Sequence, residues 1–200
     1  MYNLVGNVGA AHNQLYNPYG IALHPTTNTL YIADFNNHRI MSYAKGATSG
    51  TLLLGGQGIG TNNTQVSSPV GLYLDLFTNS LVITNYGAHN IVRYVLGTNS
   101  WSLIAGDING IQGTIPTRLS YPTDAILDPM GSLYVADRDN HRIQFFYDNH
   151  FNGTTIAGIT GVSNLNGTTL NGPRSLTLDN QLNLYVADAN NNRIQKFFRY

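Results

Sequence analysis

Apolar residues in this 200-residue chain fall in short bursts separated by stretches rich in Asn, Thr, Ser and Gly, and none recurs at helical spacing. Bursts of that length, bounded by turn formers, predict short strands. One burst returns four times. Leu30-Tyr31-Ile32-Ala33-Asp34 runs into Phe35-Asn36-Asn37-His38-Arg39-Ile40, and Leu133-Tyr134-Val135-Ala136-Asp137 runs into Arg138-Asp139-Asn140-His141-Arg142-Ile143. Leu184-Tyr185-Val186-Ala187-Asp188 runs into Ala189-Asn190-Asn191-Asn192-Arg193-Ile194, and the drifted copy Leu81-Val82-Ile83-Thr84-Asn85 runs into Tyr86-Gly87-Ala88-His89-Asn90-Ile91. A proline precedes each copy (Pro18, Pro69, Pro122, Pro173) at spacings of 51, 53 and 51, while Asp34, Asn85, Asp137 and Asp188 are spaced by 51, 52 and 51.

Each unit reads as four strands. Strand a follows the proline, as in Gly20-Ile21-Ala22-Leu23, and strand b is the Leu-Tyr-Ile/Val-Ala-Asp run. Strand c opens at Arg-Ile and carries Met41, Tyr43, Phe145, Tyr147 and Phe197; strand d is a run such as Thr51-Leu52-Leu53-Leu54, closed by glycine. A repeat of about 50 residues with four strands is a propeller blade, whose sheet needs neighbours to cover its faces.

The pattern Pro-x-Gly-Ile-Ala, Leu-Tyr-Ile-Ala-Asp and Asn-His-Arg-Ile resembles the NHL repeat, closely in blades 1, 3 and 4. The resemblance implies an all-β fold, a β-propeller of four NHL-type four-stranded blades forming one domain over residues 1–200. The blades are expected at about 18–55, 69–106, 122–158 and 173–200, with strand 2–6 (Tyr2-Asn3-Leu4-Val5-Gly6) matching a strand d and completing the last blade to close the ring. The competing expectation is a fragment of a six-bladed propeller, the commoner size in the family.

Composition agrees with strands. Glu is absent and Lys45 and Lys196 are the two lysines, so the usual solvating residues of exposed helices are missing. Ten Lys+Arg against ten Asp+Glu leave net charge zero, which argues against RNA or an anionic membrane as partner. The absence of Cys excludes disulfides, thiol chemistry and cysteine-ligated zinc. No apolar run has transmembrane length and residues 1–30 hold no signal-peptide core. Sequons at Asn62, Asn152 and Asn166 leave an extracellular location open.

Candidate chemistry divides into repeated and variable positions. Asp34/Arg39, Asp137/Arg142 and Asp188/Arg193 recur at the b–c turn; a ligand seldom needs one group per blade, so these pairs are read as locks on the turn. His38, His89 and His141 share a slot in successive blades, too far apart to gather round one metal at about 2 Å ligand distances, and no metal or cofactor is expected. Asp128, Asp137 and Asp139 lie near one another in sequence without a nucleophile signature beside them, and the glycines at 55–60 lack a following Lys-Ser/Thr. No enzyme activity is expected.

What varies within the frame is the residue after the proline (Tyr19, Val70, Thr123, Arg174) and the first b–c loop residue (Phe35, Tyr86, Arg138, Ala189). Aromatics and Arg on loops of a rigid scaffold are typical binding anchors. Tyr19, Phe35, Tyr86, Arg138 and Arg174 are therefore the candidate binding residues. The function expected is a binding or scaffolding module that uses its loop face around the central channel, with a protein as partner. Through the family resemblance, the alternatives are the substrate- or RNA-recognition part of a ubiquitin-ligase-type NHL protein and, last, a propeller hydrolase or lyase.

Overall fold

Strand alternation decides each sheet. In β2, Leu30–Asp34, Ile32 faces one side and Tyr31 and Ala33 the other, and both sides are buried, so neighbours must cover both. The computed structural model describes residues 7–199. The first sheet is the antiparallel meander of β1 (Pro18–Leu23), β2, β3 (Arg39–Tyr43) and β4 (Thr51–Gly55). The second holds β5 (Pro69–Asp75), β6 (Ser80–Asn85), β7 (Asn90–Val95) and β8 (Trp101–Gly106). The third holds β9 (Pro122–Leu127), β10 (Leu133–Asp137), β11 (Arg142–Phe146) and β12 (Thr154–Gly158).

Among the described residues the fourth sheet has three strands, β13 (Pro173–Leu178), β14 (Leu184–Asp188) and β15 (Arg193–Phe197). The strand expected at 2–6 lies outside the described residues. Tyr147, assigned to strand c from the sequence, falls just past the end of β11 and is exposed.

The uneven proline spacing arises in the d–a loops, where Gly55, Gly106 and Gly158 lie 14, 16 and 15 residues before the next proline, and the a–b hairpins differ separately by one residue. The a–b hairpin joins Leu23 to Leu30 and Leu74 to Leu81 across six residues, but Leu127 to Leu133 and Leu178 to Leu184 across five. Side-chain acceptors hold these turns. Asp128 Oδ1 accepts the Met130 and Ser132 amides, and Asp179 Oδ1 the Gln181 and Asn183 amides. Every strand a also carries a bulge directly after its proline, where the register with strand b slips. That bulge holds the variable residues Tyr19, Val70, Thr123 and Arg174, and bulges re-aim side chains.

The chain packs as two compact units. The first runs to Ala88 and takes in Val92–Ser102; the second is His89–Ile91 with the chain from Leu103 onward. In the second unit a buried cluster joins Ala136, Ile143 and Ala157 of the third sheet to Leu176, Leu184 and Val186 of the fourth, with Leu170 between them in sequence order. In the first, β1 approaches β5 so closely that a Cβ on Gly20 would collide with the Val70 carbonyl oxygen. Glycine is required there by the contact between backbones.

Candidate functional site

Each b–c connection is a single 3-10 turn, Phe35–Asn37, Tyr86–Ala88, Arg138–Asn140 and Ala189–Asn191. The residue ending each turn is left-handed: His38, His89, His141 and Asn192 have φ of 50°, 53°, 55° and 53°. Histidine and asparagine tolerate that conformation better than β-branched or bulky residues. The preceding aspartate is completely buried in three blades and organises the turn.

Asp34 Oδ1 accepts the Tyr16 amide at 2.7 Å, Asp137 Oδ1 the Ser120 amide at 2.7 Å and Asp188 Oδ1 the Asn171 amide at 2.6 Å. The other oxygen takes an Asn and an Arg donor in each of these blades, and that of Asp188 a third from Gln195 Nε2 at 3.2 Å. Asn37 and Arg39 Nε reach Asp34 at 2.8 and 2.6 Å, Asn140 and Arg142 Nε reach Asp137 at 2.8 Å each, and Asn191 and Arg193 Nε reach Asp188 at 2.9 and 2.7 Å. The guanidinium then donates onward to carbonyls of the d–a loop: Gln14 for Arg39, Arg118 for Arg142, Thr169 for Arg193. The carboxylate, amide and guanidinium thus tie two loops into one end of each of these blades.

Depth separates the copies electrostatically. Burial pushes the Asp137 carboxyl upward, against the pull of Asn140, the Ser120 amide and Arg142. At Asp188 burial also raises it, but the Asn171 amide, Asn191, Arg193 and Gln195 outweigh burial and the net shift is downward. Arg193 is 26% exposed and Arg142 3%, so water reaches one pair and not the other.

The second blade lacks this cluster, with Asn85, Ala88 and Asn90 at the three positions. Trp101 supplies a donor instead. It occupies the slot of Gly50 and Gly153, whose amides bond the His12 and Pro116 carbonyls as the Trp101 amide bonds Asn63. Its indole Nε1 donates to the Gln65 carbonyl at 2.6 Å, the counterpart, 51 residues on, of the Gln14 carbonyl taken by Arg39. The chain's one tryptophan therefore does in blade 2 part of what arginine does elsewhere.

The three histidines act separately. His38 Nδ1 accepts the Ser68 amide at 3.0 Å, His89 Nδ1 the Tyr121 amide at 3.1 Å and His141 Nδ1 the Gly172 amide at 3.1 Å. Each acceptor pins the residue just before the next blade's proline, and these residues hold φ of 47°, 48° and 60°. An accepting Nδ1 requires the neutral ring with its proton on Nε2. Burial accordingly lowers the pKa of His38, and lowers that of His89 against an opposing pull from Asp139. Among the described residues no group of three His, Cys, Asp or Glu side chains is arranged to hold a metal. No described helix is long and apolar enough to cross a membrane.

The candidate binding residues fall into two sets. In the first unit, Tyr19 on the β1 bulge, Phe35 opening one 3-10 turn and Tyr86 opening the next form a row. The Tyr19–Phe35 ring centroids are 5.0 Å apart and the Phe35–Tyr86 centroids 6.0 Å, both tilted by 55°. Tyr19 is exposed, Phe35 and Tyr86 half-buried. In the second unit, Arg138 pairs with Asp139 at 2.6 Å and lies 5.7 Å over the Tyr121 ring, while Arg174 is exposed on the β13 bulge. Tyr121, absent from the sequence-based set, shares the Arg138 surface; its place before Pro122 was the available signal.

Meandering four-stranded sheets, repeated with one buried Asp–Asn–Arg turn, define a β-propeller built of sequence-repeat blades. The NHL repeat model matches residues 15–41, 119–146 and 170–197, the blades that carry this cluster. The chain carries NHL repeats at these three positions. NHL repeat-containing protein 2 of Bos taurus is 38% identical over 97 residues, covering 45% of this chain and 13% of that protein. The chain thus spans about an eighth of that relative's length. An auxiliary nutrient binding protein from Bacteroides ovatus ATCC 8483 superposes with a TM-score of 0.69 at 18% identity, over 92% of this chain and 48% of its own. A gluconolactonase from Xanthomonas campestris gives 0.70 at 18% identity, over 100% of this chain and 66% of its own. At such identities the likeness shows the fold.

Proposed function

We propose that this NHL-repeat chain is a protein-binding or scaffolding module, acting by recognition and not by catalysis, with Tyr19, Phe35 and Tyr86 as its principal anchor. The observation that carries the reading is the aromatic row itself. Three rings from three separate elements meet, tilted against one another, at positions that the Asp–Asn–Arg–His lattice does not use. Rings held by neighbouring rings lose little freedom on binding and offer large apolar area, as interface anchors do. The acids and arginines repeated in the turns support the non-catalytic half of the reading, because their hydrogen-bonding capacity is committed to backbone and to each other. Arg138 and Arg174 are proposed as partner contacts of the second unit, Arg138 being held in place by Asp139 and Tyr121.

The test is a displayed random-peptide library panned against the 200-residue chain, with the Tyr19→Ala/Phe35→Ala/Tyr86→Ala variant as counter-screen. Peptides that bind the chain and lose at least tenfold in affinity on the variant are expected. Peptides that bind both alike would place recognition elsewhere. Since the three side chains lie outside the turn lattice, the variant should keep the far-UV circular dichroism of the parent.

A further inference from the structure

We propose that the aromatic row of the first unit seats an uncharged, proline-rich segment of the partner protein in the polyproline II conformation, an assignment that rests on the row being a protein anchor. Charge sets the class of occupant. The first unit carries five charged side chains, Asp34, Arg39, Lys45, Asp75 and Arg93. Asp34 and Arg39 are buried and neutralise each other. Tyr19, Phe35 and Tyr86 lie at the end of the sheets where the b–c turns emerge. Lys45 follows β3 and Asp75 closes β5, so both belong to the other end, and Arg93 is mid-strand in β7 with its Nε buried. Among the described residues of this unit, the end that bears the row therefore presents no unpaired charged side chain. A phosphorylated, acidic or basic segment gains no counter-charge there and loses part of its hydration.

Ring geometry narrows the class further. The centroids step by 5.0 and then 6.0 Å with 55° between planes each time, so the rings form two shallow notches in place of one flat platform. A sugar ring stacks best on an open flat face, whereas the half-buried Phe35 has a ring against it on each side. Prolyl rings are compact, and one polyproline II turn of three residues rises about 9 Å, comparable to the reach of the two ring steps taken end to end. Apart from the half-buried Val70, the neighbours are small or polar: Asn17 before Pro18, Asn36 after Phe35, Ser68 before Pro69 and Gly87 after Tyr86. They leave the apolar area too narrow for the broad face of an amphipathic helix. They also bring hydroxyl and amide donors to carbonyls that polyproline II leaves without internal partners. Aromatic rings with nearby donors are what docks proline-rich segments, and the preformed helix loses little entropy on binding.

The probe is decaproline, acetylated and amidated at its ends and labelled with an uncharged fluorophore, titrated with the 200-residue chain and read by fluorescence anisotropy. Saturable binding is expected, at least tenfold weaker for Tyr19→Ala/Phe35→Ala and unchanged within twofold between about 0.05 and 0.5 M salt, since no charge is screened. Tyr19→Ala alone, at a position 59% exposed, leaves the turns untouched and should weaken binding at least threefold. A decaglycine peptide with the same caps should bind at least tenfold more weakly than decaproline. Decaproline that does not bind, that binds parent and variants alike, or that binds no better than decaglycine overturns the proposal. Row-dependent binding of cellohexaose without binding of decaproline overturns it too, in favour of a carbohydrate. Panning separates this failure from failure of the anchor itself. Row-dependent peptides that lack proline overturn the polyproline assignment alone, whereas a library that yields no row-dependent peptide removes the protein-anchor reading and this assignment with it.

Discussion

Replacing Asp137 with alanine removes a carboxylate that is completely buried and accepts from the Ser120 amide, Asn140 and Arg142 Nε. The Arg142 guanidinium keeps its bonds to the Thr114 and Arg118 carbonyls but loses its counter-charge. Stranding one member of a buried ion pair costs about 3–5 kcal/mol, a large fraction of the roughly 5–15 kcal/mol typical of a folded domain. With a urea m-value of about 2 kcal/mol/M, the unfolding midpoint should fall by about 1.5–2.5 M. Far-UV circular dichroism is the appropriate probe, since Trp101 belongs to the other unit. Two comparisons isolate the cause. Asp188→Ala strands Arg193, which is 26% exposed, so water takes up part of the charge and the loss should be about 1–2 kcal/mol. Asp137→Ala/Arg142→Met removes both charges and should recover part of the single-variant loss. If Asp137→Ala cost no more than Asp188→Ala, or the double variant cost more than the single, the stranded-charge account would be wrong.

Three further outcomes follow from the same geometry. His38 and His89 have pKa values lowered by burial, so between their folded values and the ordinary 6.5 the unfolded chain binds more protons than the folded one. Stability should therefore be full above about pH 6.5, fall as pH drops below it, and level off once the folded rings protonate; urea midpoints from pH 8 to 5 check this, and His38→Asn/His89→Asn should flatten the slope. Trp101→Phe removes the donor to the Gln65 carbonyl and should cost about 1–3 kcal/mol by thermal unfolding, a loss that His or Gln at 101 would offset only if its donor reached the same carbonyl. Because Trp101 is the single tryptophan and is buried, the parent's emission should shift to longer wavelength on unfolding of the first unit, and an already red-shifted native spectrum would contradict its burial.

The blades were legible because their signals are local. Strand length, the proline before strand a and the glycine after strand d each act through neighbouring backbone, so Asp34, Asp137 and Asp188 announced their turns before any coordinate was known. The Asp–Arg pairing was readable for the same reason, being five residues apart in each of the three copies that hold it. The histidines were only half legible. Their repetition was plain, but the role of His38 depends on the Ser68 amide 30 residues away in the next blade, and no local rule specifies that contact. Trp101 was silent altogether, since the carbonyl it takes is 36 residues earlier and its value lies in an arginine that blade 2 does not have.

The candidate site divides along the same line. Sequence alone determined which positions were free to vary, because everything around Tyr19, Phe35, Tyr86, Arg138 and Arg174 is held by turn chemistry and these residues are not. Only the tertiary structure decided that Tyr19, Phe35 and Tyr86 meet as one row while Arg138 turns to Asp139 and Tyr121. Likewise Ile143 and Ile194 both stand between Arg and Gln, yet Ile143 is buried and Ile194 exposed. The physical reason is that backbone turns and strand periodicity are short-range, whereas burial and side-chain contact depend on which blade lies beside which, a relation set by the summed packing of whole sheets.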